Sequence, residues 1–312
     1  MSATEDHAAG SPLGRDGSLA PTSGDLPEQQ PVLRRTLRAI NEFLRSDLSG
    51  TLGVVLIAAW LLVAVLAPVI APFSPVEVFG DRVLEAPSSV HWFGTDINGM
   101  DVFSRTLHAA RLDLQIAGTA VLISLVIGVV LGLLTGYLGG WVDMLVLRLL
   151  DVLQAFPALI LGLAIVAALQ RGIGSVIFVI AFLDIPIYAR LIRAETFRIR
   201  ETNYVEAARA LGNPTWRILL VHVLPNSLPP VVIQSAVRMA WAVKITASLA
   251  FVGVGIQAPT PEWGSMIRVG SDGIMTGVWW PTVFPGLAVV TLVLGLNLLA
   301  DALQSYLRPG GR

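Results

Sequence analysis

The sequence predicts an all-α integral membrane protein with six transmembrane helices. Three observations carry that expectation. Of 312 residues, 54% are hydrophobic and only 14% are charged, whereas an average soluble domain carries about a quarter charged residues. Mean hydropathy is +0.71. Apolar runs of about 20 residues, long enough to cross a bilayer, recur between short polar connections.

Residues 1–32 are rich in Gly, Pro, Ser, Asp and Glu without apolar periodicity and read as a disordered tail. No basic start leads into an apolar core there, so it is not read as a signal peptide. Arg34, Arg35, Arg38 and Arg45 mark an amphipathic lead-in at the membrane surface. The first span is Leu52 to Ile70, ended by Pro68 and Pro72. A polar segment runs to Arg111. The second span, Leu112 to Tyr137, carries Gly118, Gly128, Gly132 and Gly136, small residues that let another helix approach closely. Gly139 and Gly140 make a turn. The third span is Leu145 to Leu169, interrupted at Phe156 and Pro157, and the fourth is Val176 to Leu191. The fifth is Val231 to Phe251 and the sixth Val283 to Ala302. Between these last two lies a Pro-, Gly- and Trp-rich loop, in which Trp263, Trp279 and Trp280 suit a membrane–water interface.

Arginine placement predicts orientation. With a cytoplasmic amino terminus, Arg190, Arg193, Arg198, Arg200, Arg209, Arg217, Arg308 and Arg312 join the amino-terminal arginines inside. Only Arg82, Arg105, Arg111, Arg171 and Arg268 fall outside. The positive-inside rule therefore predicts that both termini are cytoplasmic.

Several function classes are excluded. Cysteine is absent, so disulfides and thiolate chemistry are not available. The four histidines form no local metal motif. The only lysine is Lys244, in AWAVKIT, so there is no G-x-x-x-x-G-K-[ST] phosphate loop and the chain cannot hydrolyse ATP by itself. No H-E-x-x-H or G-x-S-x-G occurs. His222 reads as structural, and Arg148 with Asp151 as an i, i+3 pair near the membrane face.

The longest polar motif is YVEAARALGNPTWRILLVHVLPNSLPP, Tyr204 to Pro230. Glu206, Ala207 and Ala208 open a short helix that Gly212 stops. Asn213 and Pro214 turn the chain. A second helical piece follows, with Trp216, Leu219, Leu220 and Val223 at helical spacing, and Pro225, Pro229 and Pro230 are expected to break or kink it.

This stretch resembles the EAA loop of ABC importer permeases. Four others resemble the dipeptide/oligopeptide/nickel permease family in its C-type branch: FLRSDLSGTLGVVLIAAWLLVAVLAPVIAPFSP, HWFGTDINGMDVFSRTLHAAR, GYLGGWVDMLVLRLLDVLQAFPALIL and FVGVGIQAPTPEWGSMI. The resemblance covers roughly residues 35 to 309 and implies a type I ABC importer permease fold in a bacterial inner membrane. It implies an amino-terminal module at 33–85, a periplasmic segment at 86–111 and a core permease domain at 112–307, with the loop at 203–230. It implies a homologous permease as heterodimer partner, two cytoplasmic ATPase subunits and an extracytoplasmic binding protein. ATP and Mg would be used by the ATPases, with no cofactor on this chain. Glu206, Ala207, Ala208 and Gly212 would form the ATPase-coupling helix.

The fifth span adds Gln234, Arg238 and Trp241 on one helical face, with Lys244 somewhat off it, and Asp184 lies in the fourth span. Charges at membrane depth are costly and face a cavity or a partner. One reading has Arg238 and Lys244 line the path and favour an anionic group. The other has either cation pair with Asp184, or Lys244 snorkel. For function, import of di- or oligopeptides leads. Nickel, an opine or another small solute is the alternative within the class, and an ion-gradient-driven transporter the alternative outside it. The latter calls for internal repeats and membrane carboxylates, of which Asp184 is the one candidate.

Overall fold

The computed structural model describes residues 47–307. The tail, almost all of the arginine-rich lead-in, and Arg308 and Arg312 lie outside the described residues. Within them the chain is helical, with one isolated β-bridge between Thr95 and Asp101. Five helices are long and apolar enough to cross a membrane, and a bent pair makes six if it counts as one span.

α1 (Leu48–Ile70) starts at Asp47, whose carboxylate accepts from the Ser49 amide at 3.0 Å. Pro68 sits inside its last turn rather than ending it. The end comes at Ala71 (φ −71°, ψ 124°), because Pro72 pushes the residue before it out of helical geometry.

The connector to α2 (Val102–Leu138) is held by buried charges. His91 Nδ1 lies 2.9 Å from Asp101 Oδ1, and Asp101 Oδ2 accepts from the Ser104 amide at 2.7 Å, capping α2. Arg105 donates to the carbonyls of Pro75 (2.7 Å) and Pro259 (3.1 Å) and sits 3.6 Å from Asp96. The H-x-F-G-T-D…D…S-R residues thus form one clasp. Gly94 belongs to it for a steric reason: its φ is +71°, and a Cβ there would stand 2.6 Å from Trp280 Nε1. α2 begins ten residues before the predicted second span, since the clasp supplies its cap.

α2 packs along α5 (Ile173–Arg200) through a glycine seam. A Cβ at Gly128 would lie 2.5 Å from Tyr188 Cβ, at Gly132 2.6 Å from the Ala189 carbonyl, and at Gly136 2.6 Å from Thr196 Cβ. The spacing of four places all three on one face. Gly118 meets nothing and lies off the seam.

The predicted third span is broken. α3 (Gly140–Gln154) and α4 (Ala158–Leu169) meet at 90°. Pro157 is the cause, with φ −56° and ψ 126° at the start of α4. Neither half is long enough to span alone. Asp151 pairs not with Arg148 but with Arg190 of α5, at 2.6 Å, because α3 lies against that helix. Arg193 holds Asp143 by two bonds, one of 2.6 Å.

α6 (Asn203–Ala210) follows, then α7 (Thr215–Phe251). The prolines do not break α7. A π-helical stretch, Ile218–Val223, precedes them, and the Leu224 amide reaches back to the Leu219 carbonyl. Asn226 Nδ2 and Ser227 Oγ donate to the His222 and Val223 carbonyls at 2.7 and 2.9 Å. A local π turn is one of the adjustments that let membrane helices tolerate proline.

The expected loop after α7 contains α8 (Trp263–Ser271). Trp263 is fully buried, donates to the Thr106 carbonyl at 3.0 Å and stands edge-on to Trp60. Trp280 is buried too and donates to the Thr95 carbonyl at 3.0 Å. These two are core pins rather than interfacial anchors, and only Trp279 is exposed. α9 (Trp280–Leu307) closes against α1, where Gly53 and Gly295 permit contact.

Glu262 caps α8, accepting from the Gly264 (2.8 Å) and Ser265 (2.6 Å) amides, and the Trp263 amide donates to buried Asp113 of α2 at 3.2 Å. Burial pushes the Glu262 carboxyl up from 4.5 to about 7, against those two bonds. Across that window the folded chain keeps a proton that the unfolded chain releases, so stability falls as pH rises. The thermal midpoint of the detergent-solubilised protein is expected to fall between about pH 5 and pH 7.5, and Glu262→Gln to reduce the slope without abolishing it, because buried Asp113 beside it remains. Gly132→Val is expected to cost roughly 1–3 kcal/mol, read as a lower melting temperature, with Gly118→Val as the neutral control.

Candidate functional site

Two sites come from the sequence, and α7 connects them. The first is the turn between α6 and α7. Buried Val205 and Ala208 anchor α6 to the rest of the chain, while Glu206 and Ala207 face outward. Ala208 packs inward. Glu206 lies in the first turn, near the positive end of the helix dipole, and makes no ion pair among the described residues. Gly212 stops the helix with φ +78°. Its amide bonds the Arg209 carbonyl at 3.0 Å, and the Asn213 amide bonds that of Ala208 at 3.2 Å. This is the Schellman pairing, which needs a left-handed residue at the glycine position. Open space surrounds Gly212, so conformation and not crowding calls for glycine. Leu211 (83% exposed) and Trp216 (64%) stand beside it, an apolar patch at the end of the molecule where the arginines gather. There Phe197 lies between the guanidinium groups of Arg193 and Arg200, at 4.6 and 4.1 Å. His222 faces the Tyr204 ring, with centroids 6.4 Å apart.

The second site is intramembrane. Arg238 Nη1 lies 3.2 Å from Oδ1 of Asp184, whose side chain is 1% exposed. Arg238 is thereby given to Asp184, as one of the two sequence readings has it. Trp241 lies under the guanidinium at 5.5 Å. Tyr188, one turn after Asp184, donates to Ser235 at 3.1 Å. Sequence reasoning missed these two, although Tyr188 stands at i+4 from Asp184 and Ser235 at i−3 from Arg238, and so on the same faces. Gln234 is half-buried on the same side of α7. Lys244 is apart from the cluster: it is exposed and pairs neither with Asp184 nor with any other described residue.

A family model described as "Binding-protein-dependent transport system inner membrane component" matches residues 128–312. The chain belongs to this family: it is a multi-pass permease component of the inner membrane. Among its relatives, the "Dipeptide transport system permease protein DppC" of Alkalihalophilus pseudofirmus is 38% identical over 283 residues, covering 91% of this chain and 93% of that one. The "Glutathione transport system permease protein GsiD" of Pectobacterium atrosepticum is 37% identical, covering 86% and 88%. The protein of that name from an Escherichia coli strain is 40% identical, covering 80% and 82%.

The Asp184–Arg238 pair is expected to behave as a buried unit. Arg238→Ala should cost about 3–5 kcal/mol by stranding a buried carboxylate, seen as lost expression or a lowered melting temperature. The double variant Asp184→Leu, Arg238→Met should recover most of that loss.

Proposed function

We propose that this chain is a permease subunit of an ATP-driven importer for di- or oligopeptides. With a homologous permease it forms the translocation path, two ATPase subunits dock on the α6–α7 turn, and an extracytoplasmic binding protein delivers the solute. Both termini and the α6–α7 turn lie in the cytoplasm. The observation that carries this reading is the turn itself. It pairs an outward Glu206 and a glycine-locked exit with exposed Leu211 and Trp216 on otherwise arginine-rich ground. An unpartnered apolar patch rimmed by charge fits a protein partner. The family description and the peptide-transport names of the relatives support the solute class. A gradient-driven mechanism is disfavoured, because the one carboxylate proposed for a proton route, Asp184, is bound to Arg238.

The test is ATPase activity of the reconstituted complex, purified through a tag on this chain. Glu206→Ala should weaken ATPase docking by about 2 kcal/mol or more, seen as reduced copurification or loss of stimulation by binding protein and solute. Gly212→Pro should abolish stimulation, since proline fixes φ near −65° and lacks the amide that bonds Arg209. If no ATPase copurifies and uptake follows an imposed ion gradient, the reading is wrong.

A further inference from the structure

The two cations of α7 have different fates. Arg238 is neutralised by Asp184 and covered by Trp241. Lys244 makes no ion pair or side-chain hydrogen bond among the described residues, and it is exposed although Val243 and Ile245 beside it are buried. Its stripe continues through half-buried Trp241 and Ser248 to exposed Phe251, at steps of three and four. Ser248 is satisfied by the Lys244 carbonyl at 2.8 Å, so its hydroxyl does not serve the ammonium.

An ammonium against hydrocarbon costs about 2.5–3.5 kcal/mol even on the mild scale. Snorkelling is the usual escape, and here the geometry opposes it. The nearer end of the helix is Phe251, about 10 Å away by helical rise. Side chains leave a helix tilted towards its amino terminus, which points Lys244 away from that end and deeper into the membrane. The ammonium therefore needs water, an anion or an acidic side chain of a partner subunit at depth.

Resting on the importer reading, we propose that Lys244 faces the translocation path and holds an acidic side-chain carboxylate of the transported solute. With Asp184 and Arg238 cancelling, Lys244 carries the net positive charge of this part of α7. Lysine suits the task because it is a rotatable point charge without the bidentate fork of arginine, and a path must bind weakly enough to release. Trp241 offers an apolar surface one turn away for the rest of the solute.

The chain has no cysteine, so Lys244→Cys in the assembled complex places the sole thiol of this subunit at the position in question. Membrane-impermeant methanethiosulfonate reagents should modify it. Reaction only with a lipid-soluble maleimide would place the residue against lipid or a partner helix and overturn the proposal. Proteoliposome uptake then reads the chemistry. Lys244→Ala should lower uptake of alanyl-glutamate relative to alanyl-lysine by roughly tenfold, and Lys244→Arg should restore the ratio. An unchanged ratio in Lys244→Ala, with the thiol labelled, overturns carboxylate recognition alone. Absence of binding-protein-stimulated uptake by the unsubstituted complex is the distinct signature of a failed importer reading, and takes this proposal with it.

Discussion

Close approach of α2 to α5 is the constraint on which the rest depends. Association of helices in lipid gains little from the hydrophobic effect, because hydrocarbon surrounds both the separate and the packed states. Dispersion and close backbone contact must supply the attraction, and they fall off steeply with distance. Gly128, Gly132 and Gly136 let the backbones meet along more than two turns. That contact fixes the rotation of α5, and with it the direction of Asp184 and Tyr188 towards α7. It also brings Arg200 to the α2 end, where it donates to the Gly136 carbonyl at 2.9 Å. Both candidate sites are thus referred to one seam.

Buried charge is used sparingly and for position. At one end of α2, His91, Asp96, Asp101 and Arg105 tie the connector to the start of the helix and to Pro259 beyond α7. Such ion pairs add little net stability over apolar packing, but stranding one partner is costly. Their value lies in excluding other registers of the chain. The Asp184–Arg238 pair does the same between α5 and α7. It is a single 3.2 Å contact rather than a bidentate one, so it orients the two helices without the rigidity of a fork.

The apolar runs were legible because length and hydropathy alone determine them. The Schellman stop was legible because Asn-Pro after glycine leaves few alternatives. What could not be read was the outcome of competition between local and tertiary terms. Proline rules predict a break at Pro225, Pro229 and Pro230, but the helix runs on through them behind a π turn. Tryptophan suits interfaces in general, yet Trp263 and Trp280 find carbonyl partners inside. The i, i+3 rule pairs Arg148 with Asp151, but Arg190 reaches Asp151 once the 90° bend lays α3 along α5. For the two tryptophans and for Asp151 the sequence shows one partner and hides the other, which lies far along the chain.

Continuity of α7 matters most for a mechanism. A helix broken at the prolines would absorb a push at Thr215 as bending. The unbroken helix runs from Thr215 past Lys244 to Phe251, and the Thr215–Lys244 stretch is about 44 Å by helical rise. In the proposed importer, force applied at the α6–α7 turn would reach the polar stripe as a tilt of the whole helix, the rigid-element transmission of hinge and shear motions. The π stretch carries hydrogen bonds out of α register within that helix. It lies at the turn end, between Ile218 and Val223, before the helix meets the Asp184 contact.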